Sequence, residues 1–291
     1  CFVHPVIMGY LAGTALASSG EIEMVNSQPE WTGKALAMRY LSHWNDLSEI
    51  AIPMLQDKAD PLFRKLVTVC RWLRDTSKTA SWRSHSMRHL AGILQKELLP
   101  MSLRARALTA LIYSNDPGVS VLLRSLLTNH MDSVRRLAAL GCGLAKDTKS
   151  VKELISLLED HAFSVRQAAL FALVAIGSRQ ALDAVATQLL HGTEEMRRAA
   201  AEALANHPEE GHPALSDGSI MPDVLVRRAV VYGLVRVKQP WALQILEKMQ
   251  IEDEQWVVRT AATQALEDLK KPNPRLPQPL PPLHQAPWLI M

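Results

Sequence analysis

A chain of 291 residues is long enough for one large domain or two ordinary ones, and its 48% apolar composition supplies a substantial core. The 32 basic and 29 acidic residues leave a net charge of +3, which is too small to indicate a nucleic-acid or membrane partner by itself. Cys1, Cys70 and Cys142 form no close pair, which excludes a CxxC metal or redox motif and fits a reducing, cytoplasmic setting.

The first apolar run, residues 6–17, is shorter than the roughly 20 residues that a membrane-spanning helix needs. Ala15 and Ala17 make the run similar to the apolar core and cleavage site of a secretory signal peptide. No lysine or arginine precedes Lys34, so the charged leader of such a peptide is missing. We therefore predict a helix, no membrane segment and a cytoplasmic protein, with secretion as the alternative.

Residues 2–17 read FVHPVIMGYLAGTALA. They resemble the helix that closes the helical region of NACHT-type signalling ATPases, through Phe2, His4, Pro5, Tyr10, Leu11 and Ala12. The family has a second alanine where this chain has Gly13. The resemblance implies that residues 1–20 follow a nucleotide-binding domain lying upstream, whereas the alternative is an ordinary buried first helix. No GxxxxGK[ST] run occurs in the chain, so we expect it not to bind ATP.

The second region, residues 21–102, contains amphipathic patterns without a regular period. These patterns predict helices over residues 35–44, 61–74 and 85–99. They are consistent either with irregular helical pairs or with a separate small helical domain.

The third region, residues 103–270, repeats itself. Six segments open with an apolar residue and an arginine and continue with small or apolar residues at helical spacing, as in VRQAALFALVAIG from Val165. The arginines are Arg104, Arg135, Arg166, Arg197, Arg227 and Arg259, at intervals of 31, 31, 31, 30 and 32 residues. Second helical patterns follow at residues 121–127, 151–158, 181–190 and 241–249. The unit is therefore a helical pair that must stack on its neighbours to bury its apolar face.

Aspartates stand six residues before two of the repeat arginines, at Asp160 and Asp253. We expect a carboxylate at this position to cap the inner helix or to pair with an arginine. The equivalent positions elsewhere hold Asn129, His191 and Met221, so the cap is imperfectly kept. The order Asp, Val-Arg, Ala-Ala-x-Ala-Leu resembles the short HEAT repeats of the phycobilisome-lyase type. This resemblance implies an all-α fold, a right-handed α-solenoid of HEAT-like helical hairpins.

The last region, residues 271–291, contains seven prolines. Proline favours the extended polyproline conformation and lacks the N–H that a helix interior needs. We therefore predict a linker or tail outside the helical stack. A docking peptide is the alternative, since PRLP and PLPP fit the PxxP pattern loosely.

The search for chemistry finds no catalytic constellation. His85 and His89 are four residues apart, the spacing of two metal-binding imidazoles on a helix, but the HExxH glutamate and a third ligand are lacking. An exposed pair is the preferred interpretation. The serines near histidines follow no nucleophile-elbow pattern. We predict no catalytic residue, no metal and no cofactor.

The repeat arginines are predicted to be structural, bonded to carbonyls or aspartates of an adjacent repeat. The position after them holds Arg136, Arg198 and Arg228 in three repeats, and Gln167 and Thr260 in two others. A solenoid aligns one position per repeat along one face, so these three arginines could form a basic stripe for an acidic protein segment or a phosphate backbone. A solvated helix face is the alternative.

These patterns favour a non-catalytic protein-interaction scaffold or sensor module, the C-terminal part of a larger NACHT-type signalling ATPase, with a protein as its partner. Two alternatives stay open. One is a bilin lyase or isomerase of the same repeat class. The other is a nucleic-acid-binding helical-repeat protein, although we expect the seven tryptophans to serve core or interface packing rather than base stacking.

Overall fold

The computed structural model describes residues 4–21, 32–43, 45–56, 69, 72–74 and 76–270. In these ranges the regular elements are helices, which confirms the predicted all-α fold. They form two units, one ending at Leu122 and the other beginning at Leu123. The predicted tail lies outside the described residues, as does most of the helix predicted over 61–74. None of the described helices is long and apolar enough to cross a bilayer.

The first unit contains the helices α1 (Pro5–Ser19), α2 (Thr32–Leu41), α3 (Ser48–Gln56), α4 (Ser81–Gln95) and α5 (Met101–Tyr113). Helix α6 (Pro117–Leu126) contains the boundary. The second unit continues with α7 (Asp132–Leu144), α8 (Val151–Ser156), α9 (Phe163–Ile176), α10 (Arg179–His191), α11 (Glu194–Leu204), α12 (Gly211–Gly218), α13 (Val224–Val237), α14 (Pro240–Glu252) and α15 (Trp256–Lys270).

Helix α1 packs closely on α2 through two glycines. A Cβ atom at Gly9 would lie 2.5 Å from the Cβ of Leu36, and one at Gly13 would lie 2.7 Å from the Cβ of Tyr40. Neither distance leaves room for a methyl group. The glycine that departs from the NACHT-type pattern is therefore required by the approach of α2.

Helix α4 begins and ends four residues earlier than predicted, at Ser81 and Gln95. The residues after it lead into Pro100, and the residue before a proline disfavours the helical conformation. Helix α3 was not predicted, because it is only nine residues long and contains Pro53.

In the second unit the five helices that carry the repeat arginines pack on one another in succession, in the order α7, α9, α11, α13 and α15. The apolar residue before each repeat arginine is buried in all five: Val134, Val165, Met196, Val226 and Val258. The fold is therefore an α-solenoid of HEAT-like hairpins, in which α7, α9, α11, α13 and α15 are the inner helices.

Small residues set the spacing of these inner helices. A Cβ atom at Gly143 of α7 would lie 2.6 Å from the Cα of Ala172 in α9. One at Gly233 of α13 would lie 2.5 Å from the carbonyl oxygen of Ala201 in α11. The tight stacking predicted from the recurring alanines and glycines is confirmed.

The turn after an inner helix uses the left-handed backbone conformation at nearly the repeat period. Asn115, Lys146, Gly177 and Lys238 have φ values of 51°, 49°, 68° and 53°. Only Gly177 adopts this conformation without a steric cost from a Cβ atom. Each of these residues stops its helix and turns the chain toward the outer helix of the pair.

The outer helices are less uniform than the inner ones. Helix α8 has six residues and is flanked by 3-10 turns at Thr148–Ser150 and Leu157–Glu159. Helix α12 was not predicted, because its eight residues include two glycines and a proline.

Candidate functional site

Arg135 of α7 joins two neighbouring repeats. Its Nη1 donates to the carbonyl oxygens of Asn129 and His130, at 2.7 and 3.0 Å. Its Nε and Nη2 donate to the two carboxylate oxygens of Asp160, at 2.7 and 3.0 Å. Both side chains are only 7% exposed. One guanidinium therefore holds the turn before its own helix and, through a bidentate ion pair, the turn before α9.

Arg227 of α13 repeats this arrangement. Its Nη1 donates to the carbonyl oxygens of Met221 and Pro222, and its Nε and Nη2 donate to Asp253 at 2.8 and 3.1 Å. In both pairs burial would raise the pKa of the aspartate. The arginine and a backbone N–H, that of Ala162 or of Gln255, donate hydrogen bonds that hold it below its ordinary value.

Arg197 of α11 uses a displaced partner. The residue in the register of Asp160 is Met221, and the carboxylate comes from Asp223, two residues later, whose Oδ2 lies 2.9 Å from Nη1. Asp223 also accepts the N–H of Leu225 and so caps α13. Because its side chain is 44% exposed, this pair lies nearer to solvent than the pair of Arg135 and Asp160.

Arg166 of α9 has the backbone contacts of the series without its aspartate. Its Nη1 donates to the carbonyl oxygens of Asp160 and His161, at 2.8 and 3.2 Å, as Nη1 of Arg135 and of Arg227 does at the equivalent carbonyls. The residues 25 and 26 positions later are His191 and Gly192. The nearest carboxylate oxygen belongs to Glu195, 3.9 Å from Nη2 on a side chain that is 72% exposed.

A cleft of about 490 Å³ opens beside Arg166. It lies among the ends of α8 and α10 and the start of α11, and its lining includes Arg166, Gln188, His191, Thr193 and Met196. We call this feature the Arg166 cleft. It is of a size that proteins use to bind part of a peptide or a small molecule.

The two remaining repeat arginines also bond to carbonyls. Arg104, which is buried, donates from Nε to the carbonyl oxygen of Leu94 at 2.9 Å. Arg259 donates from Nη1 to the carbonyl oxygens of Asp253 and Glu254. Five of the repeat arginines thus bond a carbonyl of the turn before their own helix, whereas Arg104 bonds a carbonyl in the last turn of α4.

The three arginines of the predicted basic stripe have different surroundings. Arg136 is exposed. Arg228 pairs with Glu194, with 2.7 Å between Nη1 and Oε1. Arg198 pairs with Glu202 at 3.0 Å, and its guanidinium lies 4.1 Å from the ring centroid of Tyr232. A partner that uses Arg198 or Arg228 must compete with a carboxylate that is already there.

Glu202 is the centre of a buried cluster. Its Oε1 accepts from Arg198, and its Oε2 lies 2.8 Å from Nη2 of Arg236. Burial lowers the pKa of Arg236, although the charge of Glu202 acts in the opposite direction. A carboxylate shared by two guanidiniums of adjacent inner helices ties α11 to α13.

A family model described as HEAT repeats matches residues 120–205 and again residues 195–267. Together the two matches span just over half of the chain. The chain belongs to the HEAT-repeat family. None of the curated proteins compared with it matches its sequence.

Solved structures with a similar helical-repeat fold include the CpcE–CpcF complex of phycocyanin lyase from Nostoc, which is 22% identical and covers 83% of this chain and 92% of that chain, with a TM-score of 0.40. The Escherichia coli protein YibA is 17% identical and covers 89% of this chain and 96% of that chain, also with a TM-score of 0.40. A designed armadillo repeat protein in complex with the peptide (KR)4 is 17% identical and covers 68% and 97%, with a TM-score of 0.34. At these identities the likeness is one of fold.

Arg83 has contacts like those of the repeat arginines, but the sequence did not predict them. Arg83 of α4 is buried, donates from Nε to Asp116 at 2.9 Å, and donates to the carbonyl oxygens of Leu73 and Ser114. It was missed because it lies outside the 31-residue period and follows a tryptophan rather than an aliphatic residue. Its contacts nevertheless combine a carboxylate with carbonyls, as those of Arg135 do.

Other candidate groups have ordinary surroundings. The rings of His85 and His89 lie 4.8 Å apart in an edge-to-face arrangement, and burial and the neighbouring His85 lower the pKa of His89. In the described part of the chain, no cluster of three His, Cys, Asp or Glu side chains could hold a metal. Trp72 and Trp82 are buried, as packing residues should be, whereas Trp256 is exposed.

Proposed function

We propose that this HEAT-repeat chain is a non-catalytic protein-interaction scaffold or sensor module, and that it forms the C-terminal part of a larger NACHT-type signalling ATPase. One observation carries the first half of the proposal. The buried ionisable side chains of the repeats are used in contacts between repeats, as in Arg135 with Asp160, Arg227 with Asp253, and Arg236 with Glu202. These contacts fix the inner helices, so that equivalent outward positions form a rigid, regular surface for a partner.

Charge placement supports an acidic protein segment as the partner. Arg136 is exposed, and Arg198 and Arg228 keep part of their surface open although they pair with Glu202 and Glu194. A partner carboxylate that displaces Glu194 would exchange one ion pair for another at little cost, since exposed pairs are worth about 1 kcal/mol or less.

The properties of α1 support the second half of the proposal. Its residues are apolar all round, and it presents Ile7, Tyr10 and Leu11 outward although Gly9 and Gly13 already pack on α2. A helix of this kind fits a position between two layers of helical structure. The proposal expects a GxxxxGK[ST] phosphate-binding loop in the parent protein upstream of Cys1, and a parent sequence without one would overturn it.

The interaction surface is tested by crosslinking the full-length parent to its partners and comparing Arg136→Glu with Arg179→Glu. Both are exposed arginines, but Arg179 lies on the outer helix α10 and serves as the control. We expect the Arg136 variant, and more strongly the triple replacement of Arg136, Arg198 and Arg228 by glutamate, to lose partners that the control retains. Unchanged crosslinking of the triple variant would remove the stripe from the proposal.

The non-catalytic half has its own test. The protein is mixed with phycocyanobilin and an apo-phycobiliprotein, and the visible absorbance spectrum is followed. We expect no change beyond that of the two components without the HEAT-repeat chain. A protein-dependent absorbance shift would show bilin attachment or isomerisation and overturn the non-catalytic assignment.

A further inference from the structure

We propose that the Arg166 cleft binds a side-chain carboxylate from an acidic segment of a protein partner, and that this carboxylate occupies the position that an aspartate of the chain itself occupies in the neighbouring repeats. The inference specifies the ligand for one site of the proposed interaction module and therefore rests on the proposed function.

The guanidinium of Arg166 is anchored in the same way as those of Arg135 and Arg227. Arg135, Arg166 and Arg227 all anchor Nη1 on the carbonyl oxygens five and six residues before them. With Nη1 held in the same way, Nε and Nη2 of Arg166 must point in the direction in which Arg135 and Arg227 meet their aspartates. These two N–H groups form a planar fork that matches a carboxylate.

Among its described residues, the chain supplies no carboxylate at the position that would face Nε and Nη2 of Arg166. Asp160 follows Arg135 by 25 residues, and Asp223 and Asp253 follow Arg197 and Arg227 by 26. The residues that follow Arg166 by these intervals are His191 and Gly192, neither of which carries a carboxylate. Within the described residues no hydrogen bond engages Nε of Arg166, and Glu195 lies beyond hydrogen-bonding distance of Nη2.

The lining of the Arg166 cleft contains both polar and apolar side chains. Gln188 and Thr193 supply polar groups that can donate to a ligand oxygen, and the buried side chains of Leu158 and Met196 supply an apolar part. The methylene groups of a glutamate or aspartate can contact this apolar part while the carboxylate reaches Arg166. The volume of about 490 Å³ admits a side chain together with some of its backbone.

The charge of the cleft favours a carboxylate over a phosphate group. Among the described residues that line the cleft, Arg166 is the only arginine or lysine, and Glu159 and Asp160 are also present. Arg135 already neutralises Asp160, but Glu159 is exposed and carries its own charge. Beside Glu159, a carboxylate adds one negative charge for Arg166 to balance, whereas a doubly charged phosphate adds two and leaves more negative charge uncompensated.

Four variants test the assignment. Arg166→Lys keeps the charge but loses the fork, and His191→Asp places a carboxylate of the chain itself in the register of Asp160. Glu195→Gln removes the carboxylate that lies 3.9 Å from Nη2 of Arg166. Arg179→Gln removes an exposed arginine of the outer helix α10 that does not line the cleft, and it controls for net charge. His191 is exposed, so its replacement should leave the fold intact, and circular dichroism checks this for each variant.

The probe is a fluorescein-labelled peptide that is amidated at its C-terminus. It contains three acidic residues in total, glutamate or aspartate, separated by glycines and serines. Its matched control has the corresponding amides, and fluorescence anisotropy measures binding. We expect the wild type and Arg179→Gln to bind the acidic peptide about ten-fold more tightly than the amide peptide. We expect Arg166→Lys and His191→Asp to lose this preference, and Glu195→Gln to strengthen it.

The outcomes separate this inference from the proposed function. If the acidic peptide binds equally well to His191→Asp and to the wild type, the Arg166 cleft is not its site, while the interaction module remains. If inorganic phosphate competes with the acidic peptide more strongly than acetate at equal ionic strength, the carboxylate assignment is overturned in favour of phosphate. If neither the peptide nor any crosslinked partner of the parent binds, the proposed function itself fails.

Discussion

Two neighbouring repeats differ at one contact. Arg135 binds the turn before its helix and also Asp160 of the next repeat, whereas Arg166 binds the equivalent turn but has His191 at the position 25 residues later. The inner helices α7, α9 and α11 nevertheless stack without interruption. The backbone contacts of the arginine and its ion pair are therefore separable, and only the backbone contacts are kept in every repeat.

The largest effect is expected from opening the pair of Arg135. Asp160→Ala leaves a nearly buried guanidinium without its carboxylate, and we expect a loss of about 3 kcal/mol in the free energy of unfolding. Urea denaturation followed by circular dichroism measures it. The comparison variant is Asp223→Asn, which keeps a side-chain oxygen to cap α13, removes a more exposed carboxylate from Arg197 and should cost about 1 kcal/mol or less. Equal losses for both variants would contradict the role of burial.

Acid should weaken the ion pairs that Asp160 and Asp253 make with their arginines. The pKa values of Asp160 and Asp253 are lower in the folded protein, so the stability that these carboxylates contribute is complete above their unfolded pKa of about 3.9 and is lost as the pH falls through the folded value. We expect the stability difference between the wild type and Asp160→Asn to be constant near neutral pH and to shrink below about pH 4. A difference that grows as the pH falls would contradict this.

Giving Arg166 an aspartate partner should stabilise the protein. His191→Asp offers Arg166 the contact that Arg135 makes with Asp160, and we expect a gain of about 1 kcal/mol after the unfavourable interaction of a carboxylate with the end of α10. His191→Asn is the neutral control, and it should leave the free energy of unfolding within about 0.5 kcal/mol of the wild type. A gain in both variants would assign the effect to the loss of histidine rather than to the ion pair.

The turns of the same two repeats differ in the residue that takes the left-handed conformation. Lys146 follows α7 and Gly177 follows α9, and both have left-handed backbone angles. Lys146→Gly removes the cost of a Cβ atom in this conformation and should raise the free energy of unfolding by about 0.5 kcal/mol. Gly177→Ala should lower it by about 1 kcal/mol or more, since the added Cβ atom would also lie 2.9 Å from Nε2 of His207. Thermal unfolding of both variants measures the difference.

Much of the fold could be predicted because the same pattern of residue types recurs in every repeat. An apolar residue, an arginine and a stripe of small residues recur about every 31 residues, and the structure buries Val134, Val165, Val226 and their equivalents as the pattern requires. The pairing of Asp160 with an arginine was one of the two predicted uses of that position. The helix cap was the other, and Asp160 instead accepts the N–H of Ala162, before α9 begins.

The sequence showed which position lacks an aspartate, but it did not predict the ion pairs between helices. The replacement of the aspartate by His191 could be read directly, but it was interpreted as a weak cap. The pairings of Arg198 with Glu202 and of Arg228 with Glu194 could not be read, since they depend on side-chain positions across helices. The second of these joins residues 34 positions apart, which matches no simple spacing.

By itself the sequence determined the helical repeat, the residues on the inner face and the register of the arginines, because periodic burial is written into local composition. Tertiary structure decided which carboxylate meets each guanidinium. A shift of two residues brings Asp223 to Arg197, whereas no equivalent residue of the repeat reaches the fork of Arg166. An ion pair depends on distances of a few ångströms between separate helices, and those distances are set by packing, which a one-dimensional pattern does not contain.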